Sequence, residues 1–145
     1  ALMLKIFLIS LYGKTAVSEG YACTEAGQIA RDDGSLVHGI EMKLLDVPEL
    51  DYYTTDKPHP RGELLVKTKR AIGGYYENEE ATKAAFDDDG WFHTGDVVEE
   101  FAHRKIRVID RKKNIFKLSQ GEFVAPEYVE NCYLKCQAVD QIMIT

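Results

Sequence analysis

The sequence predicts an α+β fold that is mostly β, followed by the beginning of a smaller α/β unit. Three observations carry this. Short apolar runs, partly alternating, recur between turn signals rich in Gly, Pro and Asp. Only two interior stretches carry helix-start signals, Asn78 before Glu79 and Pro126 before Glu127. A basic cluster, Arg111-Lys112-Lys113, then interrupts the strands and marks the best boundary, giving segments 1–109 and 110–145.

Taken in order, residues 1–19 read as a helix or strand, a Tyr12-Gly13 turn and a short strand. Glu19 to Gly27 reads as a loop of small and hydroxyl residues. Asp32-Asp33-Gly34-Ser35 is a turn. Ile40 to Leu45 alternates as a half-buried strand does. Pro48 and the run Asp56 to Gly62 mark loops before a strand from Glu63 to Thr68. Gly73-Gly74-Tyr75-Tyr76 is a bend. Asn78 caps a helix from Glu79 to Phe86, with acids in the first turn as the helix dipole favours. Val97-Val98 and Ile106 to Asp110 form a hairpin, and Asn114 to Leu118 another strand. A helix from Glu127 to about Lys135 and a strand from Val139 to Ile144 close the chain.

The bulk composition narrows the function. The chain has 145 residues and a net charge of −6, which argues against a nucleic-acid partner, since such proteins carry a basic face. Hydrophobic residues at 45% and charged residues at 29% fit an ordinary globular protein. Cys23, Cys132 and Cys136 are odd in number and form no CxxC pair, so they read as free buried thiols in a reducing compartment. The apolar opening, Leu2 to Leu11, is short of the about 20 residues a membrane span needs, and reads as a core element. No initiator Met begins the chain and an apolar run ends it, so it is expected to be a fragment.

Four segments could carry chemistry. In Asp89-Gly90-Trp91-Phe92-His93-Thr94-Gly95-Asp96, Gly95 allows positive φ or close ligand approach. Asp96 offers a carboxylate of the kind that binds both hydroxyls of a ribose. The alternative is a plain turn before a strand. In Gly20-Tyr21-Ala22-Cys23-Thr24-Glu25-Ala26-Gly27, Thr24 can meet a phosphate oxygen, Glu25 can hold a Mg²⁺ bridging phosphates, and Tyr21 can stack on a base. The alternative is a tight loop. In the third segment Arg111 supplies a rigid donor fork. The alternative is a solvated basic run. Ser119-Gln120-Gly121-Glu122-Phe123 is either a backbone clamp or a hairpin. His38, His59, His93 and His103 lack ligand spacing; His93, beside Thr94-Gly95-Asp96, reads as structural.

Together these segments resemble the adenylate-forming superfamily, which includes acyl-CoA synthetases, firefly-type luciferases and the adenylation domains of carboxylic acid reductases. Gly20 to Glu25 resembles the family's YGxTE segment, with Ala22 in place of the usual glycine. Gly74-Tyr75-Tyr76, the helix carrying Glu80-Ala81-Thr82, and Asp89 to Asp96 are similar to the segment ending in TGD. Asp110 to Glu127 resembles the hinge region in its long-chain acyl-CoA synthetase form, and Asp46 to Leu50 and Lys57 to Leu64 resemble the reductase adenylation domains.

The resemblance implies ATP/AMP, Mg²⁺ and CoA as cofactors, and a carboxylic acid substrate, a long-chain fatty acid being favoured. A carboxylate attacks the α-phosphorus of ATP, and a thiol then takes the acyl group. Tyr21 would lie against adenine, Thr24 and Glu25 would meet phosphate and Mg²⁺, and Asp96 with Arg111 would hold the ribose. Lys113 would be the pivot of the small domain. Gly121 would line the thiol's approach, and Lys117 matches a lysine used for the second step in luciferases. Residues up to about 109 would form the sheet or distorted-barrel part of the large domain. The parent enzyme would be intracellular, cytoplasmic or on the cytoplasmic face of a membrane, with membrane association of the parent and self-association of the fragment left open.

Two parts of the family pattern are missing from these residues. There is no Ser/Thr/Gly-rich phosphate loop with its lysine, and the adenylation lysine would lie beyond Thr145. Electrostatic stabilisation of the transition state is the main catalytic task. The chain alone is therefore expected to release no pyrophosphate from ATP and a fatty acid. Two other readings stand beside the ligase: part of a reductase adenylation domain, and a non-catalytic remnant that binds nucleotide or protein.

Overall fold

A computed structural model describes residues 2–13, 17–120, 122–124, 126–136, 138–139 and 141–144. Helix α1 (Leu2–Tyr12) comes first, with Ile6, Phe7 and Leu11 all more than half exposed. A hairpin follows, β1 (Gly20–Cys23) and β2 (Gly27–Arg31), where the sequence predicted a loop. The glycine-flanked string Gly20 to Gly27 reads as turn chemistry, although in β1 Tyr21 and Cys23 are half-buried while Gly20 and Ala22 are exposed; a register shift falls between Tyr21 and Ala22.

The centre of the molecule is an antiparallel sheet in the order β3-β4-β5-β6: β3 (Glu41–Leu45), β4 (Arg61–Lys67), β5 (Phe92–Ala102) and β6 (Lys105–Arg111). Of the two forms expected, sheet or distorted barrel, the sheet is present: it does not close among the described residues. In β4, consecutive residues Gly62 to Val66 are all buried, the signature of a strand covered on both faces. Leu64 and Val66 join Ile29, Ile40, Phe92, Val98 and Ile106 in the main core. Leu65, Val97, Val47 and Leu50 are buried outside that cluster. Truncating Leu64, which is fully buried, to alanine costs about 2–5 kcal/mol on general grounds.

β5 is much longer than the predicted Val97-Val98 pair, because it begins at Phe92 and pairs with β4 from there. Asp96 therefore lies within a strand rather than at its end. The β5–β6 hairpin is as predicted, and its tip joins the Asp33 turn through the Lys105 ammonium, 2.8 Å from Asp33 Oδ2. Helix α2 (Glu79–Ala85) has the predicted cap: Asn78 Oδ1 accepts the Ala81 N–H at 2.9 Å. β6 runs unbroken across position 110, and a turn at Arg111–Asn114 follows it.

Beyond that turn, β7 (Phe116–Lys117) and β8 (Phe123–Val124) pair, and α3 (Pro126–Tyr133) lies against β6. The predicted strand from Val139 to Ile144 does not form among its described residues, for no neighbour offers a ladder; the Ile144 N–H goes to Glu130 Oε1 instead. The thiols are free as predicted but not buried: Cys23 is half-buried, and Cys132 and Cys136 are exposed. Among the described residues, no helix is long and apolar enough to cross a membrane.

Candidate functional site

The site is a hollow of about 560 Å³ between the β1–β2 turn, the Gly73–Tyr76 bend, the start of β5 and the end of β6. Its floor is β5. Gly95, at φ +69°, puts a kink in the strand that an L side chain would strain, and Asp96 follows it. Thr94 fixes the geometry: its hydroxyl donates to Leu64 O at 2.8 Å and accepts the Asp96 N–H at 3.1 Å. Asp96 is 5% exposed and firmly held. Its Oδ2 accepts the Tyr21 hydroxyl proton, and its Oδ1 lies 3.2 Å from Arg111 Nε across the β5–β6 ladder, where the two residues are direct partners. Burial, then the Asp96 carboxylate, push the Tyr21 phenol well above its ordinary pKa.

Opposite Asp96, Glu25 stands half-buried on the β1–β2 turn, and its Oε1 accepts the Tyr75 hydroxyl at 2.8 Å. The two acids thus line one hollow, although 70 residues lie between them and strands β3 and β4 of the sheet are threaded in that interval. The third wall is basic: Arg111, Lys112 and Lys113 in succession. Lys112 is clasped from behind, 3.0 Å from Glu49 and 3.5 Å from the buried Glu63, and its N–H donates to Gly95 O at 2.8 Å. The Glu49 contact, then Glu63, raise its pKa. Lys113 is exposed at the rim.

The hollow gathers Glu25, Asp96, Arg111 and Lys113 of the sequence-derived residues. Tyr21 is outside the lining and reaches the site through Asp96. Thr24 is exposed beside Glu25, also outside the lining. Lys117 is described by its backbone, which pairs with Phe123 in β7. Gly121 lies outside the described residues. Sequence reasoning overlooked Tyr75, Lys112 and Cys23 as wall residues. His93, read as structural, does hold the buried Glu63, with Nδ1 at 3.5 Å, and it also lines the hollow. Burial raises the Cys23 thiol pKa.

Among the described residues no three His, Cys, Asp or Glu side chains converge on a metal-sized point. Glu25 alone suits Mg²⁺, which takes one or two carboxylates and completes its shell with phosphate oxygens and water. A fixed acid, a half-buried acid and a row of cations thus stand around one cavity, groups whose chemistry can meet hydroxyl and phosphate oxygens.

No family model matches the chain. Individual relatives do. Long chain acyl-CoA synthetase 7, peroxisomal, of Arabidopsis thaliana is 46% identical over 139 residues, covering 89% of this chain and 20% of that protein. A carboxylic acid reductase of Segniliparus rugosus is 48% identical over 127 residues, covering 87% of this chain and 11% of that protein. The adenylation–carrier didomain of the reductase from Segniliparus rugosus, solved in complex with AMP, superposes with a TM-score of 0.84 at 46% identity, over 99% of this chain and 20% of that one. Its homologues are thus long-chain acyl-CoA synthetases and carboxylic acid reductases, and its structural neighbours are adenylate-forming enzymes, the kind of protein its motifs resemble. It spans about a fifth or less of the length of these relatives.

Proposed function

We propose that the hollow binds the adenosine phosphate of an ATP-dependent acid–thiol ligase, with Asp96 taking the ribose hydroxyls and Glu25 a phosphate-bound Mg²⁺. The convergence of these two carboxyls on one cavity carries the reading. The Asp96 carboxylate is already largely shielded from water and oriented by two side-chain partners, Tyr21 and Arg111, so little ordering remains when hydroxyls arrive. Arg111 lies beside it, and Lys113 provides a cation at the rim. AMP is the ligand in the homologous reductase didomain, and a related adenylation domain was solved with AMP and a co-purified carboxylic acid.

In this reading Mg²⁺ neutralises phosphate charge when bound. This chain's own residues hold the nucleoside and present its phosphates to Glu25. Residues 1–109 belong to the large domain and 110–145 begin the mobile one, with the pivot at Lys113. The acyl group is a long-chain fatty acid and the accepting thiol is CoA, which the synthetase relatives support. The reductase relatives support a second reading, in which the same segment serves a reductase adenylation domain. The sequence following Thr145 in the gene separates the two: a reductase domain belongs to the second alone.

Calorimetric titration of the 145-residue chain with AMP, without metal, tests the site. Binding by the native chain and at least about a tenfold loss in Asp96→Asn, equivalent to ~1.4 kcal/mol, are expected. Absence of AMP binding by the folded native chain would overturn the reading.

A further inference from the structure

The Gly73–Tyr76 bend is fastened to the Glu25 turn at two points. The Ile72 N–H donates to Glu25 O at 2.8 Å, and the Tyr75 hydroxyl donates to Glu25 Oε1 at 2.8 Å. The bend is itself anchored: the Tyr75 N–H donates to Thr82 Oγ1 at 2.8 Å, and that hydroxyl donates to Asn78 O at 2.8 Å. Gly74, at φ +143°, makes this approach feasible, since a Cβ there would come within 2.8 Å of Thr82 Cγ2. Tyr75 also lines the hollow and is 37% exposed.

The geometry points to Tyr75 as a positioning residue for the metal site: its hydroxyl holds Glu25 Oε1 and leaves Oε2 to receive the nucleotide's Mg²⁺. This rests on the proposed function above. A glutamate on an exposed turn samples several rotamers, and capturing a cation would freeze them. Hydrogen bonding one oxygen to an anchored phenol removes much of that freedom in advance. Among the described residues Oε2 accepts no hydrogen bond, so it is available without breaking one. The separation of duties is chemical. A phenol O–H donates to a carboxylate but offers Mg²⁺ only a poor oxygen, so the tyrosine orients and the acid coordinates.

The test uses the full 145-residue chain as native protein, Tyr75→Phe and Glu25→Gln, each checked for folding by circular dichroism. AMP affinity is measured without metal, and ATP affinity across a Mg²⁺ series; Mn²⁺ in place of Mg²⁺ reports broadening of the Glu25 amide signal. In Tyr75→Phe, the Mg²⁺ midpoint for ATP should rise about three- to tenfold, the scale of one ordinary hydrogen bond, and by more than AMP affinity without metal falls. Manganese broadening at Glu25 should weaken in step. In Glu25→Gln the Mg²⁺ dependence should vanish. An unchanged Mg²⁺ midpoint in Tyr75→Phe overturns the inference and leaves the nucleotide site standing. Equal losses for AMP and Mg²⁺–ATP overturn it too, since the tyrosine would then support the fold only. Failure of the native chain to bind either nucleotide overturns the proposed function and this inference together.

Discussion

Asp96 and Glu25 face one hollow from differently built supports. Asp96 sits inside a strand, 5% exposed, with the Tyr21 hydroxyl, the Arg111 guanidinium and its own N–H on Thr94 all fixed. Glu25 sits on a two-strand turn, half-buried, with one side-chain partner from a bend 50 residues later. The first arrangement suits a neutral diol, which needs a rigid acceptor and repays preorganisation. The second suits a hydrated cation, whose shell requires some give. Stability and binding should therefore separate at the two acids.

Replacing Asp96 with alanine is the harshest way to test this contrast. It strands a half-buried phenol and removes the partner of Arg111, whose side chain is 55% exposed, so the cost should be about 1–3 kcal/mol, read from the urea midpoint. AMP binding should disappear with it; a variant as stable as the native chain would refute the rigid side of the contrast. Gly95→Ala comes next. Nothing lies within 4 Å of the added Cβ, so the loss, about 1–2 kcal/mol, should come from the backbone at φ +69° alone. Gly95→Asn should recover part of it, and thermal melts would show whether it does. Glu25→Gln should leave stability within about 0.5 kcal/mol, as surface changes do, while removing the metal response.

The smallest effect concerns the clasp behind the basic wall. Glu49 first, and Glu63 after it, make Lys112 hold its proton more tightly in the folded chain than in the unfolded one. Its contribution is present in full below the ordinary lysine range, about 10.4, and fades as pH rises through the higher folded value. The difference in urea midpoint between native protein and Lys112→Met should stay level from pH 6 to 9 and narrow only above about pH 10. The pair with Glu49 is exposed and screened, so the gap is expected to be small. A gap that narrows near pH 7 would show that another group titrates there.

Much of this site could be read from residue order. Asp96 stands just before the Val97-Val98 strand signal, Arg111 just after that of Ile106 to Asp110, and Glu25 between two glycines, so local chemistry marked them. What stayed hidden was tertiary. Tyr75 is 50 residues from Glu25, and a Gly-Gly-Tyr-Tyr string announces only a bend. Lys112 looked like one cation among three; its distinction comes from Glu63, a carboxylate buried at the strand β4 end of the clasp. The β1–β2 hairpin escaped because its first strand is only four residues long and sits among turn-forming glycines. The run from Val139 to Ile144 misled in the opposite sense: its residues favour strands, yet β propensity expresses packing against neighbours, and among the described residues no strand pairs with it.

One rung of the ladder joins two matters usually treated apart. Asp96 and Arg111 face each other across β5 and β6, and the next amide, Lys112 N–H, is tied to Gly95 O. Any swing of the later chain that drags Arg111 off this rung must also loosen Asp96, the acid proposed above to take the sugar. By reciprocity, an occupied sugar seat must resist that swing by the same factor. Ligand retention and the freedom of the tail would then be a single equilibrium viewed from its two ends.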